Sequence, residues 1–443
     1  MLPVIAIVGR PNVGKSTLFN VLTKSRDALV ADFPGVTRDR QYGVGRVGDH
    51  PYLIVDTGGI AEPDDAEMAE MTDQQVMQGI KEASHVFFML DARAGLTPGD
   101  EEISKLLREL EVPVTLVVNK TDHLDPDIAC SEFYQLGLGQ PVAVAAIRKQ
   151  GVKALMEDVL KNIPQPDGAE EAEAGVKIAI VGRPNVGKST LINRLLGEER
   201  VVVLDRPGTT RDSIFIPYER QGVQYTLIDT AGVRRRAKVT DAIEKFSIIK
   251  TMQAIDKAHV VMVVMDAQEG ISDQDMRLIG LVLESGQAII IAVNKWDELP
   301  EDKKKKMRED IDRRLPFLSF ARRYFISALH GSGVGKLYHA IDEAYAASAR
   351  EITTGQLTRA LEIATQEHQP PLVRGRRIRL RFAHIGQHHP MQIIIHGKQV
   401  DDLPGSYKRF LAAFFRKRFD LVGVPLIIRF INDSNPYAKK SGK

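Results

Sequence analysis

Two octapeptides in this chain, Gly9–Ser16 and Gly182–Ser189, share the order Gly-x-x-x-x-Gly-Lys-Ser, a spacing suited to holding phosphate. The glycines let the backbone wrap closely enough for its N–H groups to point at an anion. The lysine brings a positive charge on a long stem, and the serine hydroxyl suits a hard cation such as Mg²⁺. A helix starting there directs its positive end at the same anion. In the first copy Gly9, Arg10, Pro11, Asn12, Val13 and Gly14 form the cradle, Lys15 reaches the β- and γ-phosphates, Ser16 ligates the metal and Thr17 follows. In the second copy the same places fall to Gly182, Arg183, Pro184, Asn185, Val186, Gly187, Lys188, Ser189 and Thr190.

Three further motifs follow each octapeptide in the same order. Pro-Gly-Val-Thr-Arg-Asp at Pro34–Asp39 recurs as Pro-Gly-Thr-Thr-Arg-Asp at Pro207–Asp212. Thr37 and Thr210 are candidates to complete the Mg²⁺ shell when a γ-phosphate is present, the alternative being ordinary loop threonines. Asp56-Thr57-Gly58-Gly59 recurs as Asp229-Thr230-Ala231-Gly232. An acid there can hold the metal's shell, so the expected Mg²⁺ sets are Ser16, Thr37 and Asp56, and Ser189, Thr210 and Asp229. Lys15, Thr37, Lys188 and Thr210 are the expected catalytic residues. Asn119-Lys120-Thr121-Asp122 recurs as Asn294-Lys295-Trp296-Asp297. A carboxylate at such a strand end accepts two hydrogen bonds from guanine N1–H and the exocyclic amine, which adenine does not offer. A site built on such bonds rejects the wrong base by about 10⁴-fold, because its polar groups are otherwise left unpaired. The substrate expected is therefore GTP rather than ATP.

These motifs need elements to hold them. Short apolar runs, Val4–Val8, Tyr52–Val55, Val86–Leu90 and Val114–Val118, then Ile178–Val181, Tyr225–Ile228, Val260–Met265 and Ala288–Val293, read as buried strands separated by helical lengths. Two mostly parallel sheets with helices on both faces follow, with the motifs just past the strand ends, where open α/β sheets bind ligands. The repeat places one such domain at 1–163 and another at 176–348. Between them, the acidic, small-residue stretch Pro164–Gly175 reads as a linker, and 349–443 remains as a third domain.

From Arg350 to Lys443 there are 17 Lys and Arg against 7 Asp and Glu, although the whole chain nets only +2, so this end points to a polyanionic partner. No apolar run approaches the roughly 18–20 residues that span a bilayer, and the N-terminus resembles a strand rather than a signal peptide. The single cysteine, Cys130, cannot form an internal disulfide, which fits a reducing, cytoplasmic setting.

With these residues in place the chain resembles the Der (EngA) family of bacterial double GTPases involved in ribosome biogenesis. The resemblance rests on the paired Gly-Arg-Pro-Asn-Val-Gly-Lys-Ser-Thr loops, the paired Pro-Gly-x-Thr-Arg-Asp segments and the run from the second Asp-Thr-Ala-Gly into Val233–Val239. It implies a C-terminal domain of KH-like α/β fold. The sequence there reads independently as helix, strand, strand, helix, strand, but Gly397-Lys398-Gln399-Val400 lacks the second glycine of a KH clamp. Arg374, Arg376, Arg377, Arg379 and Arg381, with Lys408, Arg409, Arg416, Lys417 and Arg418, are candidates to contact RNA or a protein.

The resemblance further implies GTP hydrolysis coupled to maturation of the large ribosomal subunit, with binding to that subunit and its rRNA governed by nucleotide. Where Ras-like enzymes place a water-orienting glutamine, this chain has Ile60 and Val233. Two substitutes are expected: K⁺ beside the phosphates, held by Asn12 and Asn185, or a protein activator, with Arg234–Arg236 reading nucleotide state. Ser327-Ala328 matches the family's base-contacting loop, whereas Val144–Lys149 in the first domain has no serine, which predicts unequal sites. A signalling or RNA-modification GTPase acting through a protein, or an RNA-binding protein with slow turnover, are the other readings.

Overall fold

In the computed structural model, which describes residues 2–23, 42–45, 47–56, 80, 83–110, 112–163, 175–197, 201–203, 214–229, 248–373, 376–388 and 390–432, the apolar runs become sheet centres. The elements fall into two compact units, the first carrying one sheet and the second carrying another sheet and the C-terminal domain. In the first unit, β1 (Val4–Val8), β3 (Tyr52–Asp56), β4 (His85–Asp91), β5 (Val114–Asn119) and β6 (Val142–Ala143) run parallel, and β2 (Tyr42–Gly45) pairs antiparallel with β3. The order across the sheet is β2-β3-β1-β4-β5-β6. Successive side chains of β1 enter opposite cores. Ile5 and Ile7 pack with Leu18, Phe19 and Leu22 of α1 (Lys15–Leu22), while Ala6 and Val8 pack with Leu107 of α2 (Pro98–Glu109). A strand buried on both faces must be apolar throughout, which is why β1 and β4 read as unbroken runs. The short α3 (Pro126–Cys130) and the longer α4 (Val152–Asn162) complete the unit.

The second sheet repeats this plan. It runs β13-β12-β11-β7-β10-β9-β8, built from β7 (Val176–Val181), β8 (Val201–Val203), β9 (Ile214–Arg220), β10 (Val223–Asp229), β11 (Val260–Asp266), β12 (Ala288–Asn294) and β13 (Arg322–Phe325). The helices, in chain order, are α5 (Lys188–Leu196), α6 (Ile248–Lys257), α7 (Asp273–Ser285), α8 (Glu301–Arg314) and α9 (Gly335–Ser348). The strands expected from sequence match to within a residue or two. The edge strands are additions, and β9 carries Pro217 opposite Thr226, a residue that argues against a strand in any sequence reading.

The C-terminal domain has the expected order. α10 (Thr354–Glu367) is followed by a two-residue pair, β14 (Leu372–Val373) with β15 (Arg376–Arg377), then β16 (Arg379–Gln387), β17 (Met391–Lys398), α11 (Gly405–Arg418) and β18 (Leu426–Asn432). β16 and β17 are antiparallel, and β17 and β18 are parallel. Its own core joins Leu357, Leu361 and Ala364 of α10 to Leu411 and Phe415 of α11 and to Ala383, Ile393 and Ile395 of the sheet.

Within the second unit this domain is hydrogen-bonded to the neighbouring sheet. Gly423 N–H donates to Phe320 O at 2.8 Å, and Ile289 N–H donates to Gly423 O at 2.7 Å. Gly423 has φ 73, and a Cβ there would stand 2.9 Å from Ile289 O, so conformation and space both call for glycine. Arg416 lies over the Phe320 ring, 4.2 Å from its centroid, and its Nε finds no hydrogen-bond partner among the described residues. Burial pushes its guanidinium down to about 10. A largely desolvated cation with no carboxylate partner among the described residues is costly. Arg416→Met, similar in length, is therefore expected to raise stability by about 1–2 kcal/mol, read from the urea midpoint; a fall of that size would show that the cation holds the junction together.

Among the described residues no helix is long and apolar enough to cross a membrane.

Candidate functional site

Each phosphate loop joins the end of a central strand to a helix: β1 to α1, and β7 to α5. Gly14 (φ 101) and Gly187 (φ 96) sit where an added Cβ would stand 2.3 Å from the Nδ2 of Asn119 and of Asn294. Glycine is thus required by backbone conformation and by the asparagine packed against it. Asn12 (φ 66) and Asn185 (φ 63) adopt the left-handed region that asparagine tolerates better than most residues, and both are exposed. Lys15 Nζ donates to Gly9 O at 2.6 Å and Arg10 O at 2.7 Å, and Lys188 Nζ donates to Arg183 O at 2.7 Å. Both lysines are 7% exposed. Burial pushes the Lys15 ammonium below its ordinary range, and the nearby Asp56 carboxylate works against that shift.

Ser16 Oγ donates to Asp56 Oδ2 at 2.8 Å, and Asp56 is buried at the end of β3. A hydroxyl and a carboxylate oxygen side by side form a hard donor set that fits Mg²⁺, a cation that takes few protein ligands and fills its octahedron with water and phosphate oxygens. In the second unit Asp229 ends β10 in register with Ile180, as Asp56 does with Ile7.

One side chain in each domain ties the loops together. Asn119, at the end of β5, donates from Nδ2 to Val13 O at 2.9 Å and accepts at Oδ1 from Ala146 N–H at 3.0 Å. Asn294, at the end of β12, makes the same two bonds, to Val186 O at 2.8 Å and from Ala328 N–H at 2.8 Å. Both are 3% exposed. Lys120 Nζ donates to Asn12 O at 2.8 Å and pairs with Asp91 at 2.6 Å, and Lys295 pairs with Asp266 at 2.5 Å. Burial alone would raise the Asp91 carboxyl, but hydrogen bonds from Lys120 and the Arg93 backbone hold it below the usual carboxylate range.

The correspondence identifies Ala145-Ala146 as the first domain's version of Ser327-Ala328. Ala145 N–H donates to Gln150 O at 3.0 Å, as Ser327 N–H does to Ser332 O at 2.9 Å. The missing serine removes one bond, the His330 N–H to Ser327 Oγ contact of 3.2 Å, and leaves the backbone path intact. Sequence reading also passed over the partners of the loop arginines. Arg10 Nε bonds Asp100 Oδ1 at 2.8 Å and Arg183 Nε bonds Asp275 Oδ1 at 3.0 Å, with both carboxylates fully buried. Each aspartate also closes a capping box, with Thr97 or Ser272, at the start of α2 or α7. The signal was present: Asp-Ala-x-x-Gly-x-x-x-x-Asp occurs at Asp91–Asp100 and again at Asp266–Asp275.

The structure therefore brings together Gly9–Thr17, Asp56, Asn119, Lys120 and Asp122 in one domain and Gly182–Thr190, Asn294, Lys295, Asp297, Ser327 and Ala328 in the other. Thr37, Thr57, Gly58, Gly59, Ile60, Thr210, Thr230, Ala231, Gly232, Val233, Arg234–Arg236 and Arg374 lie outside the described residues, as do 164–174 of the acidic stretch.

The two carboxylates that close the Asn-Lys-x-Asp motifs have different neighbours. Arg93 Nη2 pairs with Asp122 Oδ2 at 2.5 Å. His330 Nε2 stands 3.4 Å from Asp297 Oδ2, and the residue in Arg93's place, Gln268, bonds Glu298 instead.

A family profile described as a 50S ribosome-binding GTPase matches residues 4–120 and again 177–295. A profile for the KH-domain-like C-terminal domain of EngA bacterial GTPase enzymes matches residues 351–430. The chain is similar to GTPase Der of Coxiella burnetii (strain Dugway 5J108-111), 58% identical over 437 residues that cover 99% of each chain. It is also similar to GTPase Der of Escherichia coli O139:H28 (strain E24377A / ETEC), 54% identical over 468 residues, covering 99% of this chain and 95% of that one. A solved structure of Aquifex aeolicus Era overlays 58% of this chain and 92% of its own at 20% identity, with a TM-score of 0.30, too low to argue from.

If guanine seats on Asp122 as the Asn-Lys-x-Asp motif predicts, it competes with the Arg93 guanidinium, whereas among the described residues Asp297 is approached only by the His330 imidazole. An exposed ion pair contributes about 0.2–1 kcal/mol. Arg93→Gln, in a Lys188→Ala background that silences the other site, is expected to tighten labelled GDP about two- to fivefold. Weaker binding would mean that the arginine helps to hold the nucleotide rather than competing with it.

Proposed function

The chain belongs to the Der (EngA) family of GTPases, and on that premise we propose that it spends GTP at two sites to drive maturation of the large ribosomal subunit in the cytoplasm. It hydrolyses GTP to GDP and phosphate. The observation that carries the ribosomal reading is the pairing of two alike phosphate-and-base sites with a basic domain in one chain. The description of the matching family as 50S ribosome-binding supports it.

In this reading, the N–H groups of Gly9–Ser16 and of Gly182–Ser189 cradle the phosphates at the N-termini of α1 and α5. Lys15 and Lys188 leave the loop carbonyls that hold them and turn to the β- and γ-phosphates. Ser16 with Asp56 and Thr37, and Ser189 with Asp229 and Thr210, hold Mg²⁺, which when bound neutralises charge on the phosphate oxygens. Asp122 and Asp297 accept the guanine N–H groups, and the loops at Ala145-Ala146 and Ser327-Ala328 border the base. Their orientation is set by Asn119 and Asn294.

Neither domain carries a glutamine after its Asp-x-x-Gly motif, so that side chain is not there to orient water and the transition state needs other help. In this reading Asn12 and Asn185, exposed and at positive φ in the phosphate loops, help to bind a K⁺ ion that offsets the developing charge. Turnover at equal ionic strength is then expected to be at least severalfold faster in KCl than in NaCl, and to fall toward the NaCl rate in Asn12→Ala and Asn185→Ala. Equal rates in the two salts would remove the cation from the mechanism. For the ribosomal role, the protein is expected to sediment with large subunits under a non-hydrolysable GTP analogue and to release under GDP. Sedimentation indifferent to nucleotide would contradict a GTP-driven assembly step.

A further inference from the structure

Among the described residues, the C-terminal sheet is covered by its helices on one side. Ala383, Ile393 and Ile395 face the core formed with α10 and α11, so their neighbours in the pleat, Phe382, His384, Ile394 and His396, face the other way. Register places Phe382 opposite His396 and then Ile431 in one row, with His384, Ile394 and Arg429 in the next.

The rings in these rows form a triangular cluster. Phe382 and His396 lie face to face, 4.3 Å apart between centroids at an interplanar angle of 7°, and His384 lies beside both, 5.3 Å from His396 and 6.2 Å from Phe382. The imidazoles are joined by a 3.2 Å contact between their Nε2 atoms, one donating and the other accepting. Phe382 is 39% exposed, and Ile431 in its row is 42% exposed. A large apolar surface left outside a core that the domain could have extended calls for a partner.

Charge selects the class of partner. Strands β16, β17 and β18 contain four cations, Arg379, Arg381, Lys398 and Arg429, and no aspartate or glutamate. Arg379 is paired with Lys398 across the strands, one step along from the Phe382–His396 row. Two like charges placed opposite one another destabilise a sheet unless an anion lies between or over them. An aromatic face on strands that carry cations and no carboxylate suits a nucleic acid whose bases are unpaired, because only an unpaired base offers a π-face to an outside ring.

The alternative clamp is closed. The loop at Gly397–Val400 carries a buried Val400 whose N–H is already bonded to Asn432 Oδ1 at 2.9 Å.

We propose that this sheet face binds a single-stranded RNA segment by stacking one base on Phe382, whose ring is backed by His396, with Arg379, Lys398 and Arg429 taking the flanking phosphates. It rests on the reading of this protein as a ribosomal RNA binder and names the surface through which that binding reaches unpaired bases.

The test uses the full chain and a fluorescein-labelled twelve-nucleotide RNA of mixed sequence, offered single-stranded and annealed to its complement. Phe382→Leu is expected to weaken single-strand binding about tenfold, as loss of one stacked base does, while Phe382→Tyr, which keeps the ring, stays within about twofold of the parent. Arg429→Gln is expected to lower the slope of log affinity against log salt by about one phosphate contact. Ultraviolet cross-linking should place the RNA on the peptide containing Phe382. Single-strand affinity unchanged in Phe382→Leu, or a parent protein that prefers the duplex, overturns the platform. Sedimentation with large subunits in parallel separates the two claims. A protein that sediments normally while Phe382→Leu leaves oligonucleotide binding untouched refutes the platform and leaves the ribosomal reading standing. A protein that never sediments refutes that reading, and the oligonucleotide series then judges the sheet face alone.

Discussion

Each nucleotide site depends on one buried amide. Asn119 and Asn294 stand at the ends of the central strands β5 and β12, where one side of the amide reaches the phosphate loop and the other reaches the base loop. A primary amide is the one side chain of that size that can donate and accept from opposite ends at neutral pH without carrying charge. Aspartate could not donate to Val13 O, and leucine would leave two buried backbone groups without partners, each at a cost of about 1–3 kcal/mol. The glycine in the phosphate loop follows from the same requirement, because Gly14 and Gly187 give up a Cβ to let the amide approach. Phosphate recognition and base recognition are thereby set at a fixed distance, which is what discrimination of a whole nucleotide needs.

Around that amide, two further cations in each domain are paired with carboxylates. Lys120 and Lys295 reach back to Asp91 and Asp266, and Arg10 and Arg183 reach forward to Asp100 and Asp275. The fully buried carboxylates serve twice, as ion-pair partners and as helix caps, so the position of α2 or α7 is linked to that of the phosphate loop. Burial makes such pairs intolerant of losing one member, so they fix geometry more than they add stability. The two domains share this frame and differ at its exposed margin, where Asp122 meets a full guanidinium and Asp297 an imidazole. Unequal sites can thus arise from a common interior with different residues at the rim.

Much of this was legible in the sequence, for identifiable reasons. The octapeptides, Asp-x-x-Gly and Asn-Lys-x-Asp motifs are contiguous, and duplication multiplies their signal. Strands buried on both faces announce themselves as apolar runs. Strands toward a sheet margin do not: β9, next to the edge strand β8, carries Pro217 and ends in charges, because its residues are less completely buried than those of the central strands. Asp100 and Asp275 were missed because their meaning lies in partners some ninety positions away, at Arg10 and Arg183. The absent serine in the first base loop looked like a lost contact, yet the geometry needs only the N–H of Ala146, which every residue but proline supplies. The cluster of Phe382, His396 and His384 was equally invisible, since it exists only once the register of β16 on β17 sets Phe382 opposite His396.

The central claim is that one asparagine in each domain joins phosphate and base recognition, and that the two sites are assembled independently on that plan. Counting labelled GDP bound per chain in Asn119→Ala and in Asn294→Ala tests it directly. The account predicts that each variant loses about a hundredfold in affinity at its own site and binds one nucleotide where the parent binds two, with the remaining site unchanged. Two nucleotides bound at parental affinity in both variants would contradict it.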